Sequence, residues 1–454
     1  MLRRLRSLVP ATLYGGRSIF PAVSQISRDL ARCSDGDVAA SIVDRAKPEL
    51  CGRLRASFAS PAAEALTLKI LNLLLARYHL EARSVQVLSR PLGLVIDPSN
   101  VCQLACPGCV HSSRSAELRL FDWPKSTLPV DCLSPLLSRY GPYAIGAVFY
   151  NYGEPLLNIN TPKFIRLAKN HLMGTAISTS LSVRRFDPEA YVESGLDYMG
   201  LSIDGATQPV YQRFRRNGVL DLVFDNIRKL VNAKRILRKE TPVLAWNFLA
   251  FEHNLHEIPL ALRMARELGV DQFRVMNPFD VSSDDPEIRP AAIKGSTQWL
   301  RWRSLMHRAS NWNPFPEGVD GHAIMQAFES RWSDLPVARS PPSSGHTCQW
   351  LYKNMVMDAS GRIMPCCGAP GPDINLVFGT FHGNGNDPFN SEKYRQARAW
   401  FAGEACSSAD APYCTRCEWD HTNVNVGSVE IRRYFRAADP ALFDRRTLGA
   451  LSGW

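Results

Sequence analysis

Nowhere in the 454 residues do 18 apolar residues follow one another, which excludes a conventional membrane-spanning helix. No internal repeat is visible, so the chain does not read as an array of stacked units. The first 28 residues contain no acid. Pro10, Gly15, Gly16 and Arg17 interrupt any continuous apolar core there, so a secretory signal is not expected. No motif for nucleic acid accompanies the net charge of +10, and no nucleic-acid partner is expected. No cysteine follows Cys417.

What remains is a chain of ordinary globular composition, 45% hydrophobic and 21% charged, long enough for two or three domains. Its unusual feature is cysteine. Seven of the 12 cysteines fall into two groups with metal-ligand spacing. That usage argues for a reducing compartment, and so for a cytoplasmic location, rather than a disulfide framework. The positive balance suits a soluble basic protein. It also suits an acidic electron donor of the flavodoxin or ferredoxin type, or an anionic membrane surface. Five arginines before Asp29, punctuated by Leu2, Leu5, Leu8 and Val9, make the N-terminus a candidate peripheral membrane arm. Ala62–Leu80 reads as an amphipathic helix with Leu66, Ile70, Leu73 and Leu74 on one face.

From Leu92 the pattern alternates between strand and helix. Strands are expected at 92–97, 145–150, 175–180, 198–204, 243–251 and 272–276. Helices are expected at 130–140, 161–172, 188–194, 220–239 and 255–268. Six such units predict an α/β fold, a parallel sheet curled into a partial (β/α)6 barrel, with chemistry at the C-terminal ends of the strands. Residues 1–88 read as a basic, helical N-terminal extension and 89–285 as the barrel. A connector, 286–345, carries Trp299, Trp302, Trp312 and Trp332. A small, cysteine-bearing C-terminal domain is expected over 346–430, and 431–454 is a tail. Gly371–Asn390 reads as a loop.

Cys102, Cys106 and Cys109 follow the first strand in a C-x3-C-x2-C loop. Three thiolates can hold three irons of a 4Fe–4S cubane and leave the fourth iron open. Zinc is the competing reading, but structural zinc sites need four protein ligands. A cluster loop at the end of a first barrel strand resembles the radical S-adenosylmethionine (SAM) superfamily. The order of the downstream segments resembles it too. Tyr152-Gly153-Glu154-Pro155 is similar to that family's Gly-Gly-Glu-Pro motif, with Tyr152 in place of the first glycine. The resemblance implies that Gly153, Glu154 and Pro155 meet the SAM amino group, for which the Glu154 side chain and nearby carbonyls are acceptors.

Ser178 and Ser180 end the third strand, and Ser202 and Asp204 end the fourth. They resemble the family's polar segments that meet the SAM ribose and carboxylate. Arg213, Arg215 and Arg216 follow, and a guanidinium fork suits a carboxylate. Spacing does not choose among them; Arg215 and Arg216 are carried as candidates. The residue before the third cysteine is often aromatic in the family and packs near adenine. Here it is Gly108, so that contact must come from elsewhere.

Cys348, then Gly361 and Pro365-Cys366-Cys367, then Cys414 and Cys417 in Cys-Thr-Arg-Cys, resemble the C-terminal extension called SPASM or, in its one-cluster form, twitch. Met355–Cys366 looks like its β-hairpin, turning at Asp358–Gly361. With nothing after Cys417, one auxiliary 4Fe–4S cluster is implied, held by Cys348, Cys366, Cys414 and Cys417. A four-cysteine zinc site is the alternative. Cys367 and Cys406 are surplus. Either could replace a ligand, deliver a hydrogen atom to a substrate radical as a catalytic thiol, or be a plain buried thiol.

The resemblance implies reductive cleavage of SAM and hydrogen abstraction by a 5′-deoxyadenosyl radical. The expected reaction is dehydrogenation or epimerisation of a small or medium substrate such as a sugar, cyclitol or lipid-like alcohol. The alternative is a maturase that forms thioether or carbon–carbon links in a peptide. The N-terminal 88 residues show no strand-rich peptide-recognition module in its favour. A non-catalytic iron–sulfur sensor is a third class.

Overall fold

The computed structural model describes residues 18–109, 111, 125–276, 278, 285–291, 348–367, 377–381, 387–404, 412–417, 428–439 and 441–451. Six short strands carry the core sheet: β1 (Gly93–Ile96), β2 (Gly146–Val148), β3 (Gly174–Thr179), β4 (Tyr198–Ser202), β5 (Val243–Leu249) and β6 (Gln272–Met276). Each pairs in parallel with the next in sequence. Helices Val130–Tyr140, Thr161–Asn170, Pro188–Glu193, Leu220–Ile236 and Ile258–Glu267 lie between them. This is the expected βα succession, with β6 as expected and the other strands ending one or two residues early.

Side-chain periodicity explains the layering. In β3, Thr175, Ile177 and Thr179 are buried while their neighbours are half-buried, the period of two of a strand with unlike faces. Helix Leu220–Ile236 buries Leu220, Val223, Phe224, Ile227, Leu230 and Ala233 at three- and four-residue intervals. Trp246 of β5 joins the two layers. Its ring lies 6.0 Å from Phe224 and 5.8 Å from Phe273, and its indole N–H donates to Ile203 O at 2.8 Å.

The sheet does not stop at β1. Strand β7 (Asn354–Met357) pairs in parallel with β1, from Gly93↔Asn354 to Ile96↔Met357. Strands β8 (Arg362–Met364) and β9 (Gly379–Thr380) follow antiparallel. The nine strands run in the order β6-β5-β4-β3-β2-β1-β7-β8-β9. The expected hairpin is therefore β7–β8. Its turn is organised by Asp358, which accepts from the Ser360 and Arg362 N–H groups at 2.9 Å and from Arg362 Nε at 2.7 Å. The stretch expected to be loop, 371–390, contains β9. Cys348, Trp350, Tyr394 and Phe401 share the barrel's hydrophobic core.

A second core joins the two ends of the chain. Helices Phe20–Ala31, Gly36–Leu54 and Ser60–Glu81 pack with Ser428–Ala438 and Arg445–Leu451. Val23, Ile26, Leu30, Leu66, Ile70 and Leu74 meet Ile431, Phe435, Phe443 and Leu451 there. The arm expected over residues 1–28 is thus core from Ile19 onward, and the expected tail contributes the docked helices Ser428–Ala438 and Arg445–Leu451. Buried Lys69 ties this layer to the barrel. Its ammonium donates to Gly141 O at 2.9 Å and to Ala144 O, in the turn that follows helix Val130–Tyr140. Burial alone pushes that amine down to about 7. No described helix is long and apolar enough to cross a membrane. The four connector tryptophans lie outside the described residues.

Candidate radical SAM site and second cysteine cavity

The C-x3-C-x2-C loop leaves β1 at Asp97, at the C-terminal edge of the sheet. Asp97 N–H donates to Met357 O at 2.9 Å, and its buried carboxylate accepts from Tyr152 N–H at 3.3 Å. Burial pushes this carboxyl up to about 7. Leu104, Cys106, Phe214, Phe251 and Ile288 form a small separate core against which Cys102 and Cys109 pack. The backbone of the loop is held as well: Ala105 N–H donates to Arg216 O at 3.1 Å and Cys109 N–H to Cys106 O at 3.0 Å. Gly108 has φ +73°, a conformation that disfavours the aromatic residue common at this position. Burial pushes the Cys102 thiol up to about 12 and the Cys106 thiol up to about 11, with Arg215 opposing at Cys106. A bare thiol there is not a nucleophile near neutral pH. A bound metal would hold it as thiolate.

The turn 152–155 crosses this loop in contact. A Cβ on Gly153 would lie 1.7 Å from Ser99 O and 2.9 Å from Val101 O. Glu154 N–H donates to Val101 O at 2.9 Å. The Glu154 side chain differs from expectation. It is buried, and its oxygens accept from Thr179 Oγ1 at 2.5 Å, Ser180 Oγ at 2.7 Å, Ser180 N–H at 2.9 Å and Leu156 N–H at 3.2 Å. A carboxylate with four donors is satisfied from within the protein. It staples the turn to β3, which leaves backbone carbonyls as acceptors for an ammonium group. Buried Pro155 opens the short helical turn that follows.

The polar residues at the ends of β3 and β4 divide the same way. Ser178 Oγ and Ser202 Oγ are half-buried and 3.3 Å apart, on the face away from the helices. Ser180 instead serves Glu154, and its hydroxyl also accepts from Gln103 Nε2 at 3.1 Å. Asp204, expected to meet SAM, is fully buried. It accepts from Arg215 Nε at 2.6 Å and from Leu249 N–H at 2.7 Å. Burial pushes the Asp204 carboxyl up and the Arg215 guanidinium pulls it back.

The arginines separate by direction. Arg215 Nη1 lies 3.8 Å from Cys106 Sγ, within the cluster loop's surroundings. Arg216 turns to the surface and pairs with Asp285. Two further residues shape the site: Gln103, which also donates to Ser182 O at 3.0 Å, and His111, whose Nε2 lies 2.5 Å from Tyr152 O. Both sit within or just after the cysteine motif, which was the available signal for them.

Cys348, Cys366, Cys414 and Cys417 line one small cavity together with Trp350, Leu351, Pro365 and Phe401. Cys367, next in the chain, is not among its lining residues. Cys406 lies outside the described residues. Burial pushes the Cys348 thiol up to about 12, and Cys414 also well above the ordinary thiol range. Among the described residues no three His, Cys, Asp or Glu side chains converge on a single-ion position. Four thiols around one cavity are a donor set that a four-iron cluster takes. Arg398 holds this segment to the barrel. It is buried among Tyr352, Phe389 and Tyr394, and donates to Leu351 O and Phe389 O at 2.8 Å.

Residues 96–239 match the family model of the radical SAM superfamily. The chain is 24% identical over 286 residues to the PqqA peptide cyclase of Gluconobacter oxydans, covering 62% of this chain and 71% of that one. It is 24% identical over 275 residues to the GTP 3′,8-cyclase of Chlorobaculum tepidum, covering 59% and 76%. Among solved structures it is similar to SuiB of Streptococcus suis, at 15% identity and a TM-score of 0.46, over 80% of this chain and 76% of that one. Residues 96–239 are thus a radical SAM domain, and the likeness supports a radical SAM enzyme with a C-terminal auxiliary domain. Members hold a 4Fe–4S cluster and SAM.

Proposed function

We propose that the protein is a peptide-modifying radical SAM enzyme that closes a bond within its peptide substrate. The observation that carries this reading is the extent of likeness to a peptide cyclase. The PqqA peptide cyclase of Methylorubrum extorquens aligns over 341 residues, 72% of the chain, well beyond residues 96–239. The small-molecule dehydrogenase or epimerase anticipated from sequence has less support. The relatives named above are cyclases, and one of them is named for GTP.

In this proposal Cys102, Cys106 and Cys109 hold the SAM cluster and Cys348, Cys366, Cys414 and Cys417 the auxiliary one. When bound, these groups supply the radical that takes a substrate hydrogen and an acceptor for the electron that bond closure releases. The chain's own residues place the reactants. Carbonyls of the 152–155 turn receive the SAM amino group, Ser178 and Ser202 face the nucleoside, and Arg215 is the cation for the carboxylate. Glu154, Ser180 and Asp204 act behind them, holding the turn and Arg215. Residues 89–285 make the barrel and 346–430 the auxiliary domain. The described part of the N-terminal extension, residues 18–88, is helical, with no strand among those residues.

The test is anaerobic turnover with SAM and dithionite against two panels. One holds deuterated short peptides encoded beside the gene; the other holds deuterated sugars, cyclitols and alcohols. The account expects a peptide that loses two hydrogens and passes deuterium to 5′-deoxyadenosine. Deuterium transfer from the second panel alone restores the oxidoreductase or epimerase reading.

A further inference from the structure

Tyr152 stands where the family has a glycine, and its backbone is held on the side of the first cysteine loop. Its N–H donates to Asp97 at 3.3 Å and its carbonyl lies 2.5 Å from His111 Nε2. The next residue, Gly153, is pressed against Ser99 with no room for a methyl group. The ring packs on the main core. Its hydroxyl leaves the turn and donates to the Cys367 carbonyl at 3.3 Å. Cys366, one residue back, lines the second cavity. A fixed backbone at one end and a hydrogen bond at the other make the side chain a strut between two segments more than 200 positions apart.

We infer that Tyr152 is a positioning residue that fixes the Cys366–Cys367 segment, and with it the auxiliary centre, to the SAM-binding turn. The inference rests on the reading that the second cavity holds a cluster. A glycine in the same place would leave the two centres without this link. The phenol acts through the Cys367 backbone and has no part in the chemistry itself.

The experiment uses the anaerobically reconstituted full chain. Iodoacetamide modification of Cys367 is followed by peptide mapping in wild type, Tyr152→Phe and Tyr152→Gly. Loss of one hydrogen bond should raise the labelling rate about fivefold in both variants. The second readout is spectroscopic. With Cys102, Cys106 and Cys109 replaced by Ala, only the auxiliary centre remains, and adding Tyr152→Phe should shift its EPR g-values. Wild-type labelling rates in both Tyr152 variants, or an unshifted EPR signal, would overturn the inference. Iron counts separate this from the cluster reading: a triple-Ala parent with no iron refutes the cluster, while the labelling rates still judge the strut.

Discussion

Gly153 and Ser99 touch so closely that a Cβ on the glycine would sit 1.7 Å from the Ser99 carbonyl oxygen. The 152–155 turn meets the first cysteine loop here with no space for a side chain, so the contact can be made only by glycine. Gly153→Ala must push the two apart. A misplacement of about 1 Å near reacting groups costs roughly a hundredfold in rate. We expect 5′-deoxyadenosine formation to fall by about that factor, with the iron content of the protein retained. A variant within twofold of wild type would mean that the turn yields without consequence.

Glu154 is the companion case, a buried acid used entirely by the protein. Removing it in Glu154→Ala leaves the Thr179 and Ser180 donors unanswered in the interior. The expected loss is about 3 kcal/mol in urea unfolding of the cluster-free protein. Glu154→Gln keeps one acceptor oxygen and should lose less. Unchanged stability in Glu154→Ala would return this side chain to the ligand-facing role read from sequence.

His79 gives the pH dependence. It is buried, with Nδ1 2.9 Å from Ser84 Oγ and Nε2 accepting from Leu88 N–H at 3.1 Å. Burial, with help from Arg398, pushes the imidazole down to about 4. The unfolded chain then binds this proton first as pH falls, so stability drops between about 6.5 and 4, by about 3 kcal/mol. His79→Gln should lack this part of the acid slope in urea titrations. Equal slopes in both proteins would contradict the assignment.

The N-terminal anchoring idea must be tested with a shorter deletion than the sequence suggests. Residues from Ile19 onward are core, so a deletion that reaches them opens the helical layer, and the test removes 1–17. Four arginines lie in that segment, at about 1 kcal/mol each near an anionic surface. The deletion should reduce sedimentation with anionic liposomes. Equal sedimentation would reject membrane attachment by this arm.

The barrel was readable because its signals are local. The 130–140 helix and the 272–276 strand fall where their periodicity places them, and the cysteine loop was read from its spacing together with the segments downstream. What escaped depends on distant partners. Nothing near Asn354 says that it will pair with Gly93, and nothing near Ile431 says that it will meet the N-terminal helices. Side-chain direction escaped too. The motif containing Glu154 names a polar turn but not which way the carboxylate points, and that is decided by Thr179 and Ser180 on another strand. Cys366 and Cys367 are adjacent in sequence, and only the surrounding fold separates the residue that lines the cavity from its neighbour.

The central claim is that two cysteine sets hold two clusters and that the first one drives SAM cleavage. Iron and acid-labile sulfide should be counted in the reconstituted wild type and in the Cys102, Cys106, Cys109 triple-Ala variant, with 5′-deoxyadenosine assayed on the same samples. The account predicts about eight irons in wild type and about four in the variant, the sums of four-iron centres, with cleavage in the first and none in the second. A wild-type value near four with stoichiometric zinc, or cleavage that survives in the variant, would contradict it.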